Sequence, residues 1–128
     1  MKDETKKWLE YADENRRSVK VLLDSELFNP CLHNAQQAVE KMLKAVLVES
    51  TIKIIRTHSI NELVKILNEK GLNIDITEDE CDLLDSIYLP SKYPLGGILP
   101  DFEPDLQTCK KCLALAERVW DSVTKLLS

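Results

Sequence analysis

The chain has 128 residues, 44% of them hydrophobic and 30% charged, the length of one domain with an ordinary globular composition. At that length it buries roughly two-thirds of its unfolded surface, enough for a core without disulfide or metal staples. The net charge of −5 argues against a broadly basic nucleic-acid footprint, although a local basic patch is compatible with it.

No apolar run approaches the ~20 residues of a membrane span. The opening Met1-Lys2-Asp3-Glu4-Thr5 is charged, with no apolar region behind it, so no signal peptide is expected and a cytoplasmic location is. Aromatic residues make up 5% of the chain, few for a platform that stacks single-stranded bases.

Helical periodicity runs through the sequence, and no stretch alternates as a strand would. The first helix is expected from about Lys2 to Ser25, with Trp8, Ala12, Val19, Leu22 and Leu23 on one face. Asn15 interrupts that face, as an amide that bonds a neighbouring helix. Asn29-Pro30 opens the second helix, because Asn caps well and Pro suits the first helical position. Its inner stripe is Leu32, Ala35, Val39, Met42 or Leu43, and Val46 or Leu47, ending near Ser50. The β-branched run Thr51–Ile55 has no partner strand and reads as a linker.

Ser59 and Glu62 match a capping box and start the third helix, which Gly71 ends after about Lys70. Thr77 and Glu80 form a second box and open the fourth helix, expected to end near Leu89, before Pro90. Residues 90–104 hold four of the five prolines and two of the three glycines, the composition of a long loop, and such loops often carry function. The last helix starts near Pro104 and runs almost to Ser128. In it Leu106, Cys109, Leu113, Ala116, Trp120, Val123 and Leu127 follow heptad spacing. The expected fold is therefore all-α: a five-helix antiparallel up-and-down bundle in one domain over residues 1–128.

Cys109-Lys110-Lys111-Cys112 is formally a C-x-x-C. It sits inside a helix, whereas a redox pair sits at a helix N-terminus after a strand and zinc needs two more ligands. Cys31 and Cys81 supply no such spacing, so the cysteines read as core and no metal or other cofactor is expected. Gln36, Glu40 and Lys44 repeat at i, i+4 and i+8, with Gln37 and Lys41 in the next row. A solvated face accounts for the Glu40–Lys44 pair, worth about 0.3 kcal/mol on a surface. It leaves the paired glutamines unexplained, and amides that both donate and accept suit recognition of a nucleotide or a partner.

His58, flanked by Arg56, Thr57 and Ser59, either bonds a neighbouring group at the helix start or exchanges a proton near neutral pH. Tyr88, Lys92 and Tyr93 bracket the turn after the fourth helix. They either close the end of the bundle or offer a charge to a phosphate and rings to a base. His33, on the second helix, reads as surface or packing.

The run from Leu32 to Ala45, with its Gln36-Gln37-Ala38-Val39-Glu40-Lys41 block, then Thr57-His58-Ser59-Ile60, then Tyr88 through Lys92-Tyr93-Pro94, resembles the HEPN family, named for higher eukaryotes and prokaryotes nucleotide-binding. The likeness covers nearly the whole chain. It implies a helical bundle that forms homodimers and binds nucleotides. Small stand-alone members are often encoded beside a minimal nucleotidyltransferase, in toxin–antitoxin or accessory pairs.

Many members are metal-independent ribonucleases with an Arg, four to six residues, then His. This chain departs from that motif: Arg56 stands two residues before His58, and Lys92-Tyr93-Pro94 replaces an Arg-Tyr-Pro. Lysine keeps the charge without the planar fork that grips phosphate. The expected function is therefore a binding module for a nucleotide or a nucleotidyltransferase, using Gln36, Gln37, Glu40, Lys41, His58, Tyr88, Lys92 and Tyr93. The alternative is a divergent ribonuclease using His58 as acid–base, with Arg56 or Lys92 for the phosphate charge.

Overall fold

The computed structural model describes the backbone of residues 1–92 and 104–128 and the side chains of residues 1–88 and 104–128. Among them are five helices and no strand: α1 (Asp3–Asp24), α2 (Phe28–Glu49), α3 (Ile60–Glu69), α4 (Glu78–Lys92) and α5 (Leu106–Leu127). They form the expected all-α, five-helix antiparallel bundle. None is long and apolar enough to cross a membrane. The long loop expected over residues 90–104 falls almost wholly outside the described residues.

α2 is the axis of the bundle, packing against each of the other four helices. Its predicted stripe is buried in full: Leu32, Ala35, Val39, Met42, Leu43, Val46 and Leu47 have no exposed surface. α1 and α2 lie antiparallel. Lys2 at the start of α1 bonds the end of α2 through Val48 and Glu49. Asn15, halfway along, donates to Asn34 at 2.9 Å, which makes it the interhelical amide the sequence suggests. α3 and α4 pack as a second pair, tied through Ser59, Ile60 and Asn61 to Asp85.

Local sequence sets most boundaries. The Ser59 hydroxyl accepts from Glu62 N at 3.2 Å. The Glu62 carboxylate takes the Thr57 hydroxyl rather than reaching back to Ser59, so this capping box is half formed. The Thr77–Glu80 box is complete in both directions. Gly71 adopts φ +76° and Leu72 N closes on the Leu67 carbonyl, a C-terminal cap in which a left-handed residue avoids a Cβ penalty.

Three expectations are corrected. α2 begins at Phe28, and its N-cap position is Leu27 rather than Asn29. The Leu27 carbonyl already accepts from Cys31 N, which places Pro30 within the first turn, where a missing N–H costs nothing. α4 continues to Lys92 instead of stopping before Pro90; only two helical residues follow Pro90, so the lost bond and the ring's clash with the preceding turn act at the very end of the helix. The α5 seam keeps the 3-4 period but is rotated. Its buried residues are Cys109, Cys112, Leu115, Ala116, Val119 and Val123, while Leu113 and Trp120 pack at the flank and Leu106 is exposed. At that flank the Arg16 guanidinium covers the Trp120 ring at 4.6 Å.

All four thiols are buried in the core. Cys31 donates to the Val19 carbonyl and Cys109 to the Phe28 carbonyl, each at 3.5 Å. Burial, with neighbouring Cys31, pushes Cys109 and Cys112 up to about 12, so these sulfurs behave as small hydrophobes.

The α4 cap also carries an ion pair between Glu80 and Arg118 of α5. That guanidinium, helped by the Thr77 amide, holds the Glu80 carboxyl below its usual range against the opposing effect of burial. A depressed folded-state value stabilises the fold above the unfolded carboxylate range and is lost as pH falls through the folded value. Glu80→Gln keeps the cap and removes the charge. It should lower stability at pH 7 by less than about 1 kcal/mol, and the gap should close below about pH 4. Urea unfolding across pH tests this, and a gap that persists at pH 3 contradicts it.

Candidate functional site

The polar row on α2 is not solvated. Gln36 is fully buried, and Glu40 and Lys44 keep 4% and 8% of their surface. His58, on the link between α2 and α3, lies against Gln36 and Glu40, and Trp8 of α1 lies against Lys44. Thr51 turns the chain at φ +57°, Ile52, Ile54 and Ile55 pack on the core, and the chain returns along α2 to lay His58 over Glu40. The Glu40–Lys44 pair, expected on a surface, is therefore an interior one, with His58 of the link against Glu40 and Trp8 of α1 against Lys44.

Glu40 is the hub. Its Oε2 accepts from Lys44 Nζ at 3.0 Å and its Oε1 from Gln36 Nε2 at 3.2 Å. His58 Nδ1 lies 3.1 and 3.3 Å from the two oxygens. An ionised carboxylate only accepts, so these contacts assign the rest of the network. Gln36 must turn its NH₂ toward Glu40, where it also reaches the His58 carbonyl at 3.4 Å. Its oxygen is then left for Gln37 Nε2 at 2.7 Å. His58 must carry its proton on Nδ1, which leaves Nε2 as the ring's remaining polar atom.

The His58 ring stacks on Tyr88 of α4, centroids 4.7 Å apart and planes 14° from parallel. More than half of the His58 side chain, 53%, stays in solvent. At the other end of the network, Lys44 Nζ lies 5.7 Å from the Trp8 ring of α1, a cation–π contact. No buried polar side-chain atom among the described residues lacks a partner.

Five of the expected site residues therefore come together: Gln36, Gln37, Glu40, His58 and Tyr88. Lys41 does not join them. Its Nζ donates to Asn15 on α1 at 2.7 Å. Arg56 is exposed on the link. Lys92 closes α4, its side chain is not among those described, and Tyr93 lies outside the described residues.

Lys44, Trp8 and Asp85 are the residues that sequence reasoning passed over as site members. Lys44 was legible in the i, i+4, i+8 row, whereas Trp8 and Asp85 join only through tertiary contacts. A groove of about 650 Å³ opens between α3 and α4, lined by Val64, Ile76, Cys81 and Asp82 among others. Neither Glu40 nor His58 lines it. The network is a buried anchor beneath an exposed ring, separate from this groove.

The HEPN domain profile matches residues 5–126. The chain belongs to the HEPN family. Among solved structures, this HEPN chain is similar to TT1696 from Thermus thermophilus. That likeness has a TM-score of 0.78 at 26% identity and covers 98% of this chain and 99% of that one. It is also similar to ST0689, an archaeal HEPN homologue, with a TM-score of 0.65 at 20% identity over the whole of both chains; that likeness bears on the fold alone. No curated protein matches the chain.

A buried ion pair is weak support for stability, because desolvating two charges offsets their attraction, yet removing one partner strands the other. Glu40→Leu should therefore cost about 3 kcal/mol by leaving the Lys44 ammonium interior and unpaired. Glu40→Leu with Lys44→Met should regain at least half of that loss. Urea unfolding of the single and double variants tests this. A double variant no more stable than the single would show that the pair itself holds the fold.

Proposed function

We propose that this HEPN protein is a binding module, acting as a homodimer, that takes up a nucleotide or a nucleotidyltransferase partner at the His58–Tyr88 edge. One observation carries the reading. His58 is half exposed, yet a buried carboxylate fixes it from below and Tyr88 fixes it from the side. An interior Glu–Lys pair with two glutamines is more polar apparatus than core packing requires. Its outcome is one ring held in one orientation at the surface, which reduces the ordering cost that a ligand would otherwise meet.

With Nδ1 committed to Glu40, Nε2 accepts from an amino or hydroxyl group when the ring is neutral. It donates to phosphate when the ring is charged. Tyr88 adds an aromatic surface, and Gln37, half buried at the rim of the network, adds an amide. The net charge of −5 favours a single nucleotide or a folded partner over a long nucleic-acid strand, whose binding grows with the number of phosphates neutralised. A nucleotidyltransferase partner, in a toxin–antitoxin-like or accessory pair, follows from the family resemblance.

A second reading has one observation in its favour. A histidine oriented by a carboxylate is the arrangement of a general acid–base, so Glu40 and His58 fit a divergent ribonuclease as well, with Arg56, two residues before His58 on the link, as the cation for phosphate charge. The family's Arg–His spacing is missing, which places this reading second.

The test has two arms: calorimetry with ATP, and co-purification of the tagged chain with a nucleotidyltransferase encoded beside it. At least one should bind. His58→Ala should weaken that binding by about tenfold or more, the effect of a lost hydrogen bond to a charged group. Lys41→Ala, whose ammonium is turned to Asn15, should leave it nearly unchanged. Binding equal in wild type and His58→Ala contradicts the site. RNA cleavage that falls ~10²-fold in His58→Ala would move the ribonuclease reading to first place.

A further inference from the structure

The backbone that carries His58 is fastened by a residue outside the polar network. Four donors converge on the Asp85 carboxylate of α4. Ile60 N reaches Oδ1 at 2.6 Å. Ser59 Oγ, Asn61 Nδ2 and Asn61 N reach Oδ2 at 3.0, 3.0 and 3.3 Å. Ile60 and Asn61 supply two of the first N–H groups of α3, which have no partner within the helix. α3 already has its own cap in Ser59, whose hydroxyl accepts from Glu62 N. Asp85 is therefore a second cap, reaching across from another helix to the three residues that follow His58.

The same face of α4 carries Tyr88, one turn on, against the His58 ring. Asp82, one turn earlier, takes a single bond from Asn61 Nδ2 at 2.6 Å. So α4 holds the chain after His58 through Asp85 and the ring through Tyr88, while α2 holds Nδ1 through Glu40.

Magnitudes show why the backbone grip matters. The hydrogen bond from the His58 ring to the Glu40 carboxylate shifts an equilibrium by roughly tenfold or more. Ordering one residue of free backbone opposes it by roughly 5- to 30-fold. For a link with several free residues the ordering cost outweighs the bond, so a fastened backbone is what makes the Glu40 contact effective. We infer that Asp85 is the positioning residue of the His58 site, acting through the backbone of Ser59–Asn61 to present the ring to Glu40. The link from Asp85 to ring orientation stands on geometry alone; only its effect on a ligand rests on the binding reading above.

Side-chain ¹⁵N spectra of the full chain test this at alkaline pH, where an ordinary histidine is neutral. In the wild type His58 should hold its proton on Nδ1. Asp85→Ala should release it toward the Nε2–H form that a free imidazole favours, with the helical circular dichroism retained, and Asp82→Ala should leave it on Nδ1. If Asp85→Ala does not fold, Asp85→Asn, which still offers an acceptor to Ile60 N, should show a partial release.

A folded Asp85→Ala with the wild-type tautomer overturns the inference, as does a wild-type ring protonated on Nε2. A ligand bound through His58 should bind about tenfold more weakly, or worse, to Asp85→Ala, given the cost of ordering a freed backbone. If the wild type binds no ligand, the binding reading fails, and the spectra still decide the role of Asp85.

Discussion

The structure depends on one buried carboxylate. Glu40 sits near the middle of the central helix with almost no exposed surface, and accepts from Lys44, Gln36 and His58 on three sides. A lone carboxylate there would be costly, because charge is poorly solvated in a protein interior. Each of its partners answers that cost with a donor. The arrangement determines which way Gln36 faces, which nitrogen of His58 carries the proton, and why Lys44 tolerates burial beside Trp8. Remove the carboxylate and each of these assignments is lost.

The consequence is a division of labour between helices. α2 supplies the anchor, α4 supplies Tyr88 and Asp85, and the link between α2 and α3 carries His58 to the place where both can reach it. The three isoleucines of that link do the ordinary work of burial. By seating the link against the core, they hold the segment that carries His58 to Glu40. The core and the candidate site are therefore one construction, in which apolar packing creates the dry surroundings that make the Glu40 contacts strong.

Much of the fold was legible in the residues. The α2 stripe, the Asn15 amide, the caps at Ser59 and Thr77 and the Gly71 stop are all local patterns with local causes, and the structure carries each of them. The α5 seam shows the limit of such patterns. Its period was readable, but the choice between Leu113 and Cys112 for the interior depends on where α1 and α2 lie. The site divides the same way. The alignment of Gln36, Glu40 and Lys44 follows from helix geometry, whereas their surroundings come from elsewhere in the chain, His58 of the link against Gln36 and Glu40 and Trp8 of α1 against Lys44. Lys41, one position from Glu40, belongs to a different contact with α1 for the same reason. Nothing in the sequence marks Asp85 as a partner of Ser59, because that contact exists only once α3 and α4 are paired.

The central claim is that Glu40 and His58 are energetically coupled, not merely adjacent. A double-mutant cycle of Glu40→Leu and His58→Phe, read by urea unfolding at pH 7, measures that coupling most directly. Phenylalanine keeps a ring against Tyr88. The stranded Lys44 is common to both arms that carry Glu40→Leu, so it cancels. The expected coupling energy is about 1 kcal/mol or more, the net worth of a hydrogen bond to a charged group at a half-exposed site. Additivity to within about 0.3 kcal/mol, the behaviour of independent positions, would contradict it.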